Sequence, residues 1–164
     1  MQVVPLTAAL SVADQIDERE VEALAAAGFK SVICNRPDSE GGTPSQTIRA
    51  ACERHGMKFF MQPVAYGALG MAEGDTFGQI LRQCDEPALG YCRSGRRTTA
   101  LWAIAAAPLA GAQAVLHRAA RIGIGLEELA SVLVHSAERP DPPYAPSSDP
   151  AARERFRRLW VEPR

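Results

Sequence analysis

The chain has 164 residues, 46% hydrophobic and 23% charged, with a formal net charge of −1, which is the size and make-up of one globular domain with a full core. So balanced a charge offers no global basic field for nucleic acid or an anionic membrane surface, and neither partner is expected. Met-Gln-Val-Val-Pro-Leu-Thr lacks the features of a secretory leader, and Pro108 interrupts the longest apolar stretch before the roughly 18 residues a membrane span needs. A cytoplasmic setting is therefore expected, with Cys34, Cys52, Cys84 and Cys92 as free thiols.

Leu10–Ala13 reads as a short first strand, with Val3 and Val4 pairing as an edge before Pro5. Asp17 offers a helix cap and Glu20 completes a capping box, so the stripe Val21, Leu24 and Ala25 falls on a helix that Gly28 closes. Residues 29–34 form a β-branched strand, and residues 35–42 (Asn-Arg-Pro-Asp-Ser-Glu-Gly-Gly) a polar loop. Ser45 opens a second helix with Ile48, Ala51 and Cys52 inward. A third strand is expected over 57–64, then a flexible loop over 65–74 with three glycines, then a helix capped by Asp75 or Thr76 and running to Cys84.

Ala88–Tyr91 is the next strand, bounded by Glu86-Pro87, and an Ala-rich helix starts a few residues after it. Between them lies Cys92-Arg93-Ser94-Gly95-Arg96-Arg97. Amides turned inward as they feed a helix form a nest of donors, and the helix N-terminus adds partial positive charge. Both favour a thiolate at Cys92 and hold the anion that it attacks. Gly95 permits the turn, and Arg97 supplies a planar fork of donors for an oxyanion. Ser94 and Thr98 sit within the same anion loop, and Arg93 and Arg96 are placed on its rim.

Strands and helices alternate from Leu10 to Ala107, which predicts an α/β fold: a central parallel sheet with helices on both faces. Ligands of such sheets sit outside the carboxyl ends of the strands, where residues 35–38, the loop after Val64 and the Cys92 loop converge. Two further helical segments are expected over 112–121 and 126–137, giving a domain over 1–137. Residues 138–150 are rich in Pro, Ser and Asp and are expected to stay unordered. A short basic helix over 151–160 then completes a 138–164 tail. His55, His117 and His135 are isolated, Cys34, Cys52 and Cys84 read as packed thiols, and neither a metal site nor a cofactor is expected.

These residues resemble the phosphatase-like domain family of bacterial beta-lactamase hydrolase-like proteins. The resemblance runs from about Leu6 to about Leu133. It rests on Leu10-Ser11-Val12 with Gln15, the segment from Ala25 to Glu40 that includes Asn35-Arg36-Pro37-Asp38, Pro63-Val64, and Tyr91 to Thr98 followed by Leu101-Trp102-Ala103. It implies a dual-specificity-phosphatase-like fold, Cys92 as nucleophile, Arg97 as anion binder, and Arg36 and Asp38 near the site.

The chain departs from the cysteine-phosphatase pattern in two places. There the arginine follows the cysteine by six residues, whereas Arg97 follows Cys92 by five, as in the rhodanese loop. Ala65-Tyr66 also occupy the place where such phosphatases carry an acid after Pro-Val, which leaves Tyr66 as a substrate-facing candidate and Asp38, Glu73 or Asp75 as substitute acids. Sulfur transfer to a thiol acceptor needs no such acid. The first expectation is therefore transfer of sulfane sulfur, from thiosulfate or a persulfide, through a Cys92 persulfide. The alternative is hydrolysis of phosphate monoesters through a Cys92 phosphoenzyme, and a third is a non-catalytic module that binds a phosphorylated partner.

Overall fold

Five strands lie side by side in the computed structural model, which describes residues 1–146 and 148–163. They are β1 (Val3–Pro5), β2 (Leu10–Ala13), β3 (Ser31–Cys34), β4 (Lys58–Met61) and β5 (Ala88–Tyr91), in the order β1-β2-β5-β3-β4. β1 runs antiparallel to β2 and the other pairings are parallel. Pro5 is tolerated because β1 is an edge strand. In register, Ala13 and Cys34 both lie opposite Tyr91, and Met61 lies opposite Cys34. Four chain segments therefore leave the sheet on one rim, beginning with Asp14, Asn35, Gln62 and Cys92.

Helices cover both faces, as the alternating pattern predicts. On one face α1 (Glu18–Ala26) and α2 (Ser45–Arg54) bury Val21, Leu24, Ile48, Ala51 and Cys52 against Val32, Leu89 and Tyr91. The Asp17–Glu20 capping box is formed in both directions, at 2.9 and 3.0 Å. The other face carries α3 (Met71–Gln83), α4 (Arg96–Ala110), α5 (Ala112–Arg121), α6 (Ala130–Ala137) and α7 (Pro150–Trp160). Among the described residues, no helix is long and apolar enough to cross a membrane.

α4 is the axis of that larger layer and is buried from Arg97 to Ala107. Pro108 lies inside it and cannot donate to the carbonyl of Ile104, so the helix would leave that acceptor bare. The Ser136 hydroxyl, itself buried, donates to Ile104 O at 2.6 Å and satisfies it. The helix therefore continues past the proline to Gly111, whose φ of +91° ends it.

Two expectations about the middle of the chain are corrected. β4 stops at Met61, and α3 begins at Met71, so Asp75 and Thr76 lie inside the helix and cap nothing. Of the three glycines expected in a flexible loop, Gly74 lies in α3 and serves packing, since a Cβ there would collide with Ile104. Within the expected helix, a Cβ on Gly78 would collide with the Tyr144 ring.

The tail also departs from its composition. Tyr144 is fully buried over Gly78, its hydroxyl donates to Ala105 O, and its ring lies 5.9 Å from that of Phe156. Arg139 forks onto Asp75 at 2.9 and 3.0 Å. α7 brings Phe156, Trp160 and Val161 into the core, and its last turn accepts hydrogen bonds from Trp102 Nε1 and the Thr7 hydroxyl, both at 2.8 Å. Ser147 and Arg164, within the 138–164 segment, lie outside the described residues.

Candidate active site

The rim described above puts a cysteine at the end of the central strand. Cys92 follows β5 directly, its N–H donates to Ala13 O of β2 at 3.4 Å, and its side chain is fully buried. Arg93 and Ser94 arch outward, and Gly95, at φ +87°, turns the chain into α4. That left-handed residue costs little only for glycine. It aims the Gly95 N–H at Cys92 Sγ, 3.2 Å away, while its carbonyl accepts from the Thr99 hydroxyl at 2.8 Å. The sulfur thus faces a helix N-terminus with one amide already directed at it.

α4 is seated on the strand ends by its first turn. Thr98 Oγ1 donates to Asn35 Oδ1 at 2.9 Å, and Asn35 Nδ2 donates in turn to Gln62 O at 3.1 Å. Thr98 can come this close because residue 90 in β5 is a glycine, since a Cβ there would collide with Thr98 Cγ2. The two rim segments that begin with Asn35 and Gln62 are thereby tied to the start of α4.

Arg97 is fully buried, and its guanidinium is held by a carboxylate. Nη1 and Nη2 donate to the two oxygens of Glu40 at 2.7 and 2.8 Å, Nη1 also donates to Val64 O at 2.9 Å, and the Tyr66 ring lies 4.1 Å from the guanidinium carbon. Burial works against the charge of Arg97, but the Glu40 fork and the nearby Cys92 outweigh it and hold the guanidinium above its ordinary value. The same fork holds the Glu40 carboxyl below the carboxylate range, helped by the charges of Arg36 and Arg93. Arg97 Nε is buried without a partner, so one strong donor next to the loop is still to be satisfied.

The remaining candidates divide between the site and its surroundings. Arg36 stands behind Glu40, donating to Glu40 O and to Gln15 Oε1, both at 2.8 Å. Asp38 caps α2: its two oxygens accept from the Ser45 N–H at 2.8 Å and the Ser45 hydroxyl at 2.7 Å, which keep its carboxyl low. Arg96 turns away from the loop to Gly125 O and Glu128. Ser94 Oγ lies 3.5 Å from the Arg96 N–H. Arg93 is exposed, and so is half of Tyr66. Asp75 is engaged by Arg139, and Glu73 folds back toward Gly70 at the start of its own helix.

Glu40 and Asn35 touch Arg97 and Thr98 in this candidate site, and the motif reading did not single them out. The signal was available: an arginine buried at the base of an anion loop needs a counter-charge, and Glu40 is the acid that follows the β3 end on the same rim. The other cysteines are packed thiols. Burial pushes Cys52 up to about 11 and Cys84 up to about 12. It also raises Cys34, whose Sγ donates to Arg36 O at 3.4 Å.

A cysteine at the strand-to-helix turn of a parallel sheet, an amide on its sulfur and a buried arginine beside it define a phosphatase-like α/β domain. The family model described as "Beta-lactamase hydrolase-like protein, phosphatase-like domain" matches residues 2–112, and the chain belongs to that family. A curated relative, the Beta-lactamase hydrolase-like protein of Agrobacterium fabrum, is 30% identical over 106 residues. That match covers 63% of this chain but only 25% of the relative, so the chain corresponds to about a quarter of that protein. A crystal structure of a candidate phosphatase from Neisseria meningitidis Z2491 is 31% identical, with TM-score 0.73 over 83% of this chain and 99% of that one. PTPMT1, solved in complex with PI(5)P, shares the fold at 13% identity, with TM-score 0.64 over 83% of this chain and 94% of that one. The fold is that of the dual-specificity and tyrosine phosphatases.

Proposed function

We propose that this domain hydrolyses phosphate monoesters through a phosphoenzyme on Cys92. The observation that carries the reading is the fixed base of the loop, where Gly95 N–H points at the Cys92 sulfur and Arg97 is locked beside it with Nε unpaired. A bound phosphoryl group would take up the free Nε and the loop amides through its equatorial oxygens. The Cys92 thiolate attacks phosphorus, a P–S bond forms, and the P–O bond breaks with its electron pair leaving on the alcohol oxygen. Water then attacks the phosphocysteine, releasing inorganic phosphate and restoring the thiolate.

Leaving-group protonation sets the substrate range. Asp38, Asp75 and Glu40 each have both oxygens engaged by Ser45, Arg139 or Arg97, Glu73 folds back toward Gly70, and Ala65-Tyr66 stand where an acid would be placed. General-acid help is worth about 10²–10⁴ in rate. Aryl phosphates, whose leaving groups need little protonation, are therefore turned over, and phosphoserine is slower by a factor of that order. Steady-state kinetics on the two substrates tests this: equal rates would mean that an acid has been missed.

Sulfane-sulfur transfer to a thiol acceptor becomes the second reading, favoured by the five-residue spacing of Cys92 and Arg97 and by the lack of a need for an acid. It is placed second because the family and the solved relative above 30% identity are phosphatase-like. Intact-mass analysis after thiosulfate treatment separates the two, since sulfur transfer leaves Cys92 heavier by one sulfur.

A further inference from the structure

Two clefts meet at Ile122, just after α5. One, of about 380 Å³, runs from the anion loop at Arg93, Ser94 and Gly95 over Val4 and Val12 to Ile122 and Ile124. The other, of about 390 Å³, continues from Ile122 along the outer side of β1 and is lined by Arg118, Arg121 and Thr7. Together they lead from the anion loop, past Asp14 and Gln2 and over the side chains of Val4, Val12, Ile122 and Ile124, to a pair of arginines.

That pair is electrically unbalanced. Arg118 and Arg121 stand three residues apart on α5 and so share a face of the helix. Arg118 is half-buried, with Nη1 donating to Leu6 O at 3.1 Å. Burial and the charge of Arg121 both disfavour its charged form. Among the described residues neither arginine is in an ion pair, whereas the exposed Arg155 and Arg157 on the neighbouring α7 pair with Glu86 and Glu162. A partly buried cation beside a like charge, with no counter-ion, raises the free energy of the folded chain. A tetrahedral oxyanion between them would remove that cost and suit their planar forks.

We propose that Arg118 and Arg121 hold a second oxyanion of an elongated substrate, whose scissile phosphate sits on the Cys92 loop and whose apolar middle crosses Val4, Val12, Ile122 and Ile124. This rests on the phosphatase reading for the first anion but not for the second. The substrate class is then a molecule with two phosphate-like ends joined by an apolar spacer. Arg93 and Ser94 line the near cleft, so the spacer leaves the loop along them.

The test is a ladder of aryl phosphates whose alkyl tails end in either a phosphonate or its neutral diester. At one tail length the phosphonate should lower KM by about tenfold relative to the diester, the scale of one charge-assisted contact pair. That ratio should fall toward one in the Arg118→Ala/Arg121→Ala variant. Should the double variant fail to fold, Arg121→Ala alone, at an exposed position, carries the comparison and should reduce the ratio. No advantage at any length, or an advantage that survives Arg121→Ala, overturns the proposal. If no aryl phosphate is turned over, the phosphatase reading has failed, and calorimetric titration of an alkane bisphosphonate into the full chain decides the second site separately. Binding weakened several-fold by Arg121→Ala supports it, and binding indifferent to that change removes it.

Discussion

At the scale of single residues the site depends on Glu40. It is the only carboxylate in the described residues that touches Arg97, and without it a fully buried guanidinium would keep one backbone carbonyl and an aromatic face. Glu40→Gln retains shape but loses the charge-assisted fork, so Arg97 should shift and kcat/KM should drop by about 10²-fold, the scale of one lost oxyanion donor. Steady-state kinetics with an aryl phosphate checks this, and a variant within twofold of the parent would show that Glu40 does not position Arg97. Cys92, Gly95 and Arg97 were legible in the sequence because their chemistry is local: one strand end, one turn, one helix start. Glu40 was not, because its role exists only when the β3 rim closes on α4 across 57 positions of sequence. Asp38 was read as site-adjacent from the same motif, yet its short side chain finds the Ser45 amide first and becomes a helix cap.

The element that sets the geometry is α4, and what lets it approach the sheet is Gly90. A methyl group there must push Thr98 away from Asn35 and lift the first turn that carries Arg97. Gly90→Ala should therefore destabilise the domain by about 1–3 kcal/mol, the range for overpacking, and should lower activity even where the protein remains folded. Urea denaturation paired with kinetics measures both, and a fully active, parent-like Gly90→Ala would mean the helix has slack. The strands β2, β3 and β5 and the helices α1, α2 and α5 were readable from apolar periodicity and caps. The start of α3 was hidden by Gly70 and Gly74, the second of which looks like a loop residue until Ile104 is seen against it. The passage of α4 through Pro108 was equally hidden, because the hydroxyl that satisfies Ile104 O belongs to Ser136, 32 positions beyond Ile104.

Across the whole molecule the tail is part of the core. Tyr144, Phe156, Trp160 and Val161 are buried against α3, α4 and the start of β2, so Phe156→Ala should cost about 3–5 kcal/mol. Thermal unfolding checks this, and an unchanged midpoint would show that α7 is only loosely attached. Composition pointed the other way because prolines and serines say little about a single tyrosine that fills a groove over Gly78. Stability should also fall in alkali. Burial raises the thiols of Cys52 to about 11 and Cys84 to about 12, so the folded chain keeps protons that the unfolded chain releases from about pH 8.5 upward. The contribution is complete below that pH and is lost as pH rises through the two folded values; a flat denaturation midpoint from pH 8 to 11, roughly that window, would contradict it. The central claim is that Cys92 accepts a phosphoryl group. Rapid acid quench of the full chain during turnover of an aryl phosphate, followed by peptide mass spectrometry, should find one phosphoryl group on Cys92 and none in Cys92→Ser. A Cys92 that never carries phosphorus under turnover conditions, yet gains sulfur from thiosulfate, would contradict the account.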